Sequence, residues 1–444
     1  MPYKTNQDIR STGNPWVPSI DAFKGGSLSG DIQCDYLIIG AGFTGLSIAY
    51  NLLKQFGQEK KVVLIDSHTL GSGASGRNSG MLGPGIGAPF HRLEKKFGPE
   101  KARTMFQHTL DAVDSSIALI KREAFDCDLT VGSQFKVSTN SSNDQQLRLE
   151  SDALHRNGFE LNTYDEHSVQ AIVNGPRYRY ALEYSNTATI NPVKLLRAMA
   201  DKITALGGEI ILNSACTELE EGHAWVGKKR INFERAVIST NGFSHSLGIQ
   251  KGRVIPVSTS LMMSSPLSEQ QRQQLALKTE NAVIDNRKIF NYFRLTADNR
   301  LIFGGGAPFY STSGIIAEQR RGSDGPGSVY QELSAGVNKY LPGLTGLHIE
   351  KVWTGTIGVT LDNFPVISSY RKSIDSVIGW CGHGLALSLA YGAAYAQQQK
   401  ESSSQAGLYW HRKKAPYLSP IPLLPIASNS YIRYLNIMDN LRGG

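Results

Sequence analysis

The stretch at residues 35–66, DYLIIGAGFTGLSIAYNLLKQFGQEKKVVLID, restricts the possible folds of this chain more than any other. An apolar run ends at Gly40, the turn Gly40-Ala41-Gly42-Phe43-Thr44-Gly45 follows, and Leu46, Ala49, Leu52 and Leu53 then fall at helical spacing. Residues 61–66 form a second apolar, β-branched run whose last residue, Asp66, is acidic and lies 21 positions beyond Gly45. Strand, tight turn, helix, strand and acidic end occur in the order of a dinucleotide-binding βαβ unit. Gly40 permits the turn, Gly42 lets the backbone approach a pyrophosphate, and Gly45 allows helix and strand to pack closely. The helix start at Phe43 and Thr44 offers N–H groups and a partial positive charge to phosphates. Asp66, followed by Ser67, can accept hydrogen bonds from both hydroxyls of an adenosine ribose. On its own the unit fits NAD as well as FAD.

At 444 residues, 40% of them hydrophobic, the chain is long enough for two domains with substantial cores. The net charge of +8 comes from scattered groups such as Lys60-Lys61, Lys228-Lys229-Arg230, Arg320-Arg321 and Arg412-Lys413-Lys414. No aromatic residues interleave with them, which points to solvated faces and away from a nucleic-acid groove. Cys34, Cys127, Cys216 and Cys381 form no CxxC pair, so neither structural zinc nor a redox dithiol is expected, and a reduced, cytoplasmic setting fits. The first residues are polar and lack the apolar core of a secretory signal. Residues 377–399 carry no Asp, Glu, Lys or Arg, but their glycines, His383 and glutamines suit an Ala-rich helix buried against a sheet, not a membrane span.

Along the chain, residues 1–33 read as a surface arm with Trp16 as its only strong anchor. The loop at residues 71–81, GSGASGRNSGM, is made of small residues that let backbone N–H groups surround a flat or anionic ligand. Helices are expected at 91–121, at 144–157 and after Asn191-Pro192 up to Gly207. Strands follow near 209, at 235–241, 254–263, 281–295 and 300–304, then at 350–357, 364–368 and 376–380. The expected organisation is α/β plus α+β. A Rossmann-like domain is assembled from 34–90, 187–245 and 346–444, and a second, antiparallel-sheet substrate domain from 91–186 and 246–345. Ser402-Ser403-Ser404 reads as a short polar loop, and 431–441 as a final helix.

Four separated segments together resemble the D-amino-acid oxidase, glycine oxidase and sarcosine oxidase-like FAD oxidoreductases. They are GAGFTG with Asp66, the loop GASGRNSG, FRLTADNRLIFGGG at 293–306, and the pair WTGTIGVTLDNFPVI and GWCGHGLALS. Within that family the pattern is most similar to the γ-glutamylputrescine oxidase branch, including the tail LSPIPLLPI. The resemblance implies a glutathione-reductase-type flavoprotein fold with noncovalent FAD. Gly40, Gly42, Phe43, Thr44 and Gly45 would hold the pyrophosphate, and Asp66 and Ser67 the adenosine ribose. Ser75, Arg77, Asn78, Ser79, Gly80 and Met81 would lie along the flavin, with the strand end Thr240, Asn241 and Gly242 completing the nucleotide side. Gly382, His383, Gly384 and Leu385 would bring a helix start to the pyrimidine side of the ring, where reduction builds negative charge.

The implied reaction is hydride transfer from a carbon beside an amine nitrogen to flavin N5, giving an imine that water hydrolyses. O2 or another electron acceptor would reoxidise the flavin, and the substrate would be a small amine or amino acid. His383 is a candidate for tuning the flavin or touching the substrate. Arg294 is a candidate carboxylate anchor, because its planar fork matches two carboxylate oxygens, with Tyr292 assisting. Arg300 and Asp362 read as structural. The family's monomeric sarcosine oxidases carry a lysine near the flavin; residues 300–305 here contain none, which leaves the acceptor open. Residues 71–81 contain no histidine to carry a covalent flavin. Oxidation of a hydroxy acid or polyol on the same fold is the alternative, with an FAD monooxygenase behind it. Neither the substrate nor the oligomeric state is written in these motifs.

Overall fold

The computed structural model describes residues 14–16, 23–310, 329–344, 346–401 and 411–441. Most of the N-terminal arm, Arg320-Arg321 and the loop at Ser402-Ser403-Ser404 lie outside them.

Two sheets organise the chain. In the first, the strands run in the order Val366–Arg371, Ile374–Ile378, Lys229–Ile238, Ile32–Ile39, Val62–Ile65, Glu209–Ile211. Its centre is parallel, with Ile38 opposite Val237 on one side and Leu64 on the other. Both faces are covered, which is why these strands are continuous apolar runs without polar alternation. Ile38 and Leu64 turn toward the helix Phe43–Phe56 and its Leu46, Ile48 and Leu52, whereas Leu37, Ile39, Val63 and Ile65 pack on the opposite face with Ala236 and Ile238. The Ala-rich segment supplies the strand Ile374–Ile378 and then the helix Gly384–Glu401. That helix crosses Phe43–Phe56 closely: Ser47 Oγ donates to the Leu389 carbonyl at 2.6 Å, and a Cβ at Gly392 would overlap Ser47. Among the described residues no helix is long and apolar enough to cross a membrane.

The second sheet is mainly antiparallel and runs Ile349–Val359, Ile255–Pro266, Arg300–Tyr310, Tyr292–Leu295, Ala282–Asp285, Thr130–Ser138, Tyr180–Thr189, Met81–Leu82. The strand Ile349–Val359, expected with the nucleotide-binding part, instead pairs along Ile255–Pro266, with Leu261 opposite Trp353. Side chains on the two faces separate by period two. Phe135, Val137, Val283, Phe293 and Phe303 pack on one face with the helix Val329–Tyr340. Gln134, Lys136, Ile284, Tyr292 and Arg294 occupy the other, the face toward the first sheet's helices.

Several element boundaries differ from expectation, for local reasons. The single helix foreseen at 91–121 is two, Phe90–Phe97 and Pro99–Arg122, because Gly98 adopts φ +81° and Pro99 starts a new helix. The expected strand at 281–295 is a hairpin of Ala282–Asp285 and Tyr292–Leu295, closed by the Asp285 carboxylate accepting from the Asn291 N–H at 3.0 Å. The last helix starts at Leu424, not 431. Asn140 and Asn191 cap the helices Ser141–Arg156 and Pro192–Ala205.

Candidate active site

Between the two sheets lies one cavity of about 1000 Å³, the upper end of the range for ligand pockets. It is built from the ends of parallel strands, two helix starts and the inner face of the second sheet.

At one end the turn after Ile39 is held by Asp66. Its Oδ2 accepts from the Ala41 N–H at 2.8 Å and its Oδ1 from the His68 N–H at 2.9 Å. Each oxygen keeps a lone pair, and Asp66, Ser67 and Ser214 line the cavity, as a pair of ribose hydroxyls requires. Burial pushes the Asp66 carboxyl above its ordinary range. Gly40 (φ +113°), Gly42, Phe43 and Thr44 continue the wall. The helix Phe43–Phe56 has no acidic residue in its first turn and no side chain at its N-cap, Gly42. Gly384–Glu401 likewise starts without an acidic residue. The Trp380 indole N–H donates to Thr44 Oγ1 at 3.0 Å and ties these two helix starts together. Two positive helix ends on one wall fit an anionic dinucleotide with a ring that gains electrons.

The small-residue loop is held by its own polar groups. Asn78 Nδ2 donates to the carbonyls of Ala74 (3.1 Å) and Ser75 (2.7 Å), and Asn78 Oδ1 accepts from the Gly80 N–H (2.8 Å). Ser75 Oγ accepts from the Phe43 N–H at 3.0 Å, so it also closes the helix start. Arg77 lines the cavity while its guanidinium donates to the Ser72 and Thr354 carbonyls at 2.9 and 3.1 Å. The Trp353 indole donates to the Arg77 carbonyl at 2.8 Å, and the Trp16 indole to that of Asn78 at 3.1 Å. Ser79 and Met81 line the cavity as expected.

Three of the expected cofactor glycines, Gly45, Gly80 and Gly242, lie behind the wall and serve packing. A Cβ at Gly45 would overlap the Gly40 carbonyl, one at Gly80 the Ile190 carbonyl, and one at Gly242 would stand 2.9 Å from the Ile357 carbonyl. Thr240 and Asn241 do reach the wall. Asn241 Oδ1 accepts from the N–H groups of Gly379 (2.9 Å) and Trp380 (3.3 Å), fixing the turn that leads into Gly382-His383-Gly384-Leu385. All four of those residues line the cavity. His383 Nδ1 sits 3.0 Å from the Cys381 carbonyl. A carbonyl only accepts, so Nδ1 carries the proton and Nε2 is an acceptor. Burial holds the His383 pKa below its ordinary value, which keeps the ring neutral.

Of the substrate-side candidates, Tyr292 lines the cavity, with its hydroxyl pKa raised by burial. Arg294 does not line it. The guanidinium is buried and donates to the carbonyls of Ser79 (2.5 Å), Leu295 (3.0 Å) and Ile190 (2.7 Å), and it lies 5.5 Å from the Trp16 ring centre. Its fork matches main-chain oxygens, so the expected carboxylate anchor is a structural cation. Arg300 and Asp362 are structural as read: Arg300 pairs with Asp298 and Glu350, and Asp362 with Arg412. Residues 14–16 of the arm are not a surface feature. Asn14 and Trp16 are buried behind the loop, and Asn14 Nδ2 donates to the Gly76 carbonyl at 2.6 Å.

Sequence reasoning missed the far end of the cavity. There Lys136 and Glu150 form an ion pair of 2.6 Å beside His91 and Tyr184, and the last helix contributes Tyr431, Ile432 and Leu435. The alternation of Gln134 and Lys136 along Thr130–Ser138 was the only signal for that end.

A family model described as FAD dependent oxidoreductase (DAO) matches residues 35–398. The chain belongs to this family. The match takes in both sheets and the walls of the cavity except Leu418 and the last helix. Among curated relatives, the γ-glutamylputrescine oxidoreductase of Escherichia coli (strain K12) is 28% identical over 81% of this chain and 82% of its own length. A probable oxidoreductase, OrdL, of Rhizobium meliloti (strain 1021) is 26% identical over 86% of each. In fold, the chain is similar to the crystal structure of glycine oxidase from Geobacillus kaustophilus, with a TM-score of 0.69 at 18% identity over 84% of this chain and 96% of that one. As a member of the DAO family the protein is an FAD-dependent oxidoreductase with a Rossmann-like flavoprotein fold.

Proposed function

We propose that this protein oxidises the C–N bond of a small amine or amino acid to an imine, with noncovalent FAD lying along the cavity from Asp66 to Gly382–Leu385. The observation that carries this reading is the continuity of the cavity. The wall that fits the nucleotide runs without a break onto the inner face of the second sheet, where Tyr292 and His383 stand on opposite elements. The names of the relatives point the same way, since one acts on γ-glutamylputrescine and a similar structure on glycine. When bound, FAD supplies the two-electron acceptor for the hydride of the carbon beside nitrogen.

The chain's own residues then have three tasks. The first is orientation, which supplies much of the rate in such reactions. The second concerns the amine proton. An amine must be neutral to lose hydride, and the neutral His383 ring with Nε2 free as an acceptor is placed to take that proton. The third is to exclude water, to which the final helix contributes through Tyr431, Ile432 and Leu435 on the cavity wall. The Tyr292 hydroxyl, hydrogen-bonded with Thr259, stays protonated and can donate to the substrate nitrogen. From the neutral amine a hydride, two electrons with one proton, passes to the flavin and the N–H proton leaves to solvent, which gives the imine; water added to the imine then gives a carbonyl compound and a free amine.

Anaerobic mixing of the yellow holoprotein with panels of amines, amino acids and hydroxy acids tests the reading. Bleaching by amines and not by hydroxy acids is expected; the reverse pattern assigns the protein to alcohol oxidation. Admitting air afterwards shows whether O2 is the acceptor.

A further inference from the structure

The far end of the cavity is more polar than an amine alone requires. Lys136 lies on the inner face of the second sheet in one row with Ile284 and Tyr292, since Lys136 pairs with Ile284 and Ile284 with Tyr292. Two strand spacings separate Lys136 from Tyr292, about 9–10 Å. Lys136 and His383 line the same cavity. Glu150 holds Lys136 with one oxygen at 2.6 Å and accepts the Phe90 N–H with the other at 3.2 Å, leaving that carboxylate committed. Lys136 spends one of its three donors on Glu150, and 20% of its side chain stays open to the cavity. Beside it His91 Nδ1 is buried with no hydrogen-bond partner. Arg287, another cation of the cavity wall, is paired with Asp285 at 3.0 Å and lies over the Tyr340 ring; Arg92 and Lys288 also line the cavity but are exposed.

We infer that Lys136, positioned by Glu150 and assisted by His91, binds a carboxylate at the end of the substrate remote from the reacting C–N bond. The substrate class is then an amine with a carboxylate about two strand spacings from its oxidised carbon, and Lys136 takes the part that Arg294 does not. This inference rests on the amine-oxidation reading for what reacts, but the binding site can be tested without turnover.

The test titrates FAD-loaded protein with a straight-chain carboxylic acid that cannot be oxidised, and with its primary amide of equal length, following the flavin absorbance. In wild type the acid binds and the amide binds weakly. Lys136→Met weakens acid binding by roughly 10- to 100-fold, the value of one hydrogen-bonded charge, and leaves the amide unchanged. Lys136→Arg retains most of the acid affinity. If Lys136→Met loses its flavin because Glu150 is left buried and unpaired, the double variant Lys136→Met with Glu150→Gln removes both charges and gives the same comparison. Equal acid binding in wild type and variant, or parallel loss of acid and amide, overturns the inference. Acid binding that depends on Lys136, in a protein whose flavin no amine reduces, upholds the subsite and removes the amine-oxidation reading instead.

Discussion

Asp66 shows how much one side chain can settle. Its two oxygens are each fixed by a backbone N–H, of Ala41 and His68, before any ligand arrives, so the carboxylate is pre-oriented toward the cavity. Asp66→Ala removes the ribose acceptors and loosens the turn. FAD affinity is expected to fall roughly 10- to 100-fold. Flavin retained on gel filtration of dilute protein measures it, and undiminished retention would take Asp66 out of the site. This residue was legible because its role is local: strand end, turn and carboxylate all lie within one contiguous stretch. Arg294 was not, because its partners at Ser79 and Ile190 are brought to it by folding. A guanidinium fork matches a carboxylate or a set of carbonyls equally well, and only the tertiary structure chooses.

At the scale of elements, two connections depend on partners that sequence patterns do not show. Residues 14–16 place Trp16 in a cluster with Val193, Leu261, Ile302 and Trp353, directly behind the small-residue loop. Its indole N–H holds the Asn78 carbonyl and its ring faces the Arg294 guanidinium. Trp16→Ala is expected to cost about 3–5 kcal/mol in chemical unfolding and to loosen flavin binding through the loop. A variant as stable as wild type would mean the arm is not part of the support. The second connection is Glu123, at the end of the helix Pro99–Arg122. It accepts from Tyr50 of Phe43–Phe56 at 2.6 Å and pairs with Lys202 of Pro192–Ala205 at 2.9 Å. The Tyr50 hydroxyl, then Lys202, hold its carboxyl down to about 2, from the ordinary 4.5. The folded form binds this proton more weakly than the unfolded chain does. The stability Glu123 contributes is therefore complete above about pH 4.5 and lost as the pH falls through about 2. Glu123→Gln should flatten the acid limb of a stability-against-pH curve over that interval. An unchanged limb would show that the three helices are held otherwise.

For the whole molecule, the main strands of the parallel sheet could be read from the sequence, with ends displaced by up to six residues at Lys229–Ile238, because strands covered on both faces are written as apolar runs with glycine turns between them. The second sheet was read as β-rich and antiparallel, but its membership was not. The strand Ile349–Val359 joins it across some 90 residues of chain from its partner Ile255–Pro266, a pairing that no local pattern encodes. The cavity shares this property. Its nucleotide half is built from motifs, and its far half from Lys136, Glu150, His91 and the last helix, which meet only in the fold. The chemistry follows from joining the two halves, so the joint is what must be tested. The most direct measurement is a single anaerobic turnover with product analysis on the holoprotein. The account predicts one carbonyl compound and one free amine formed per FAD reduced. Reduction of the flavin with no nitrogen released, or no reduction by any amine, would contradict it.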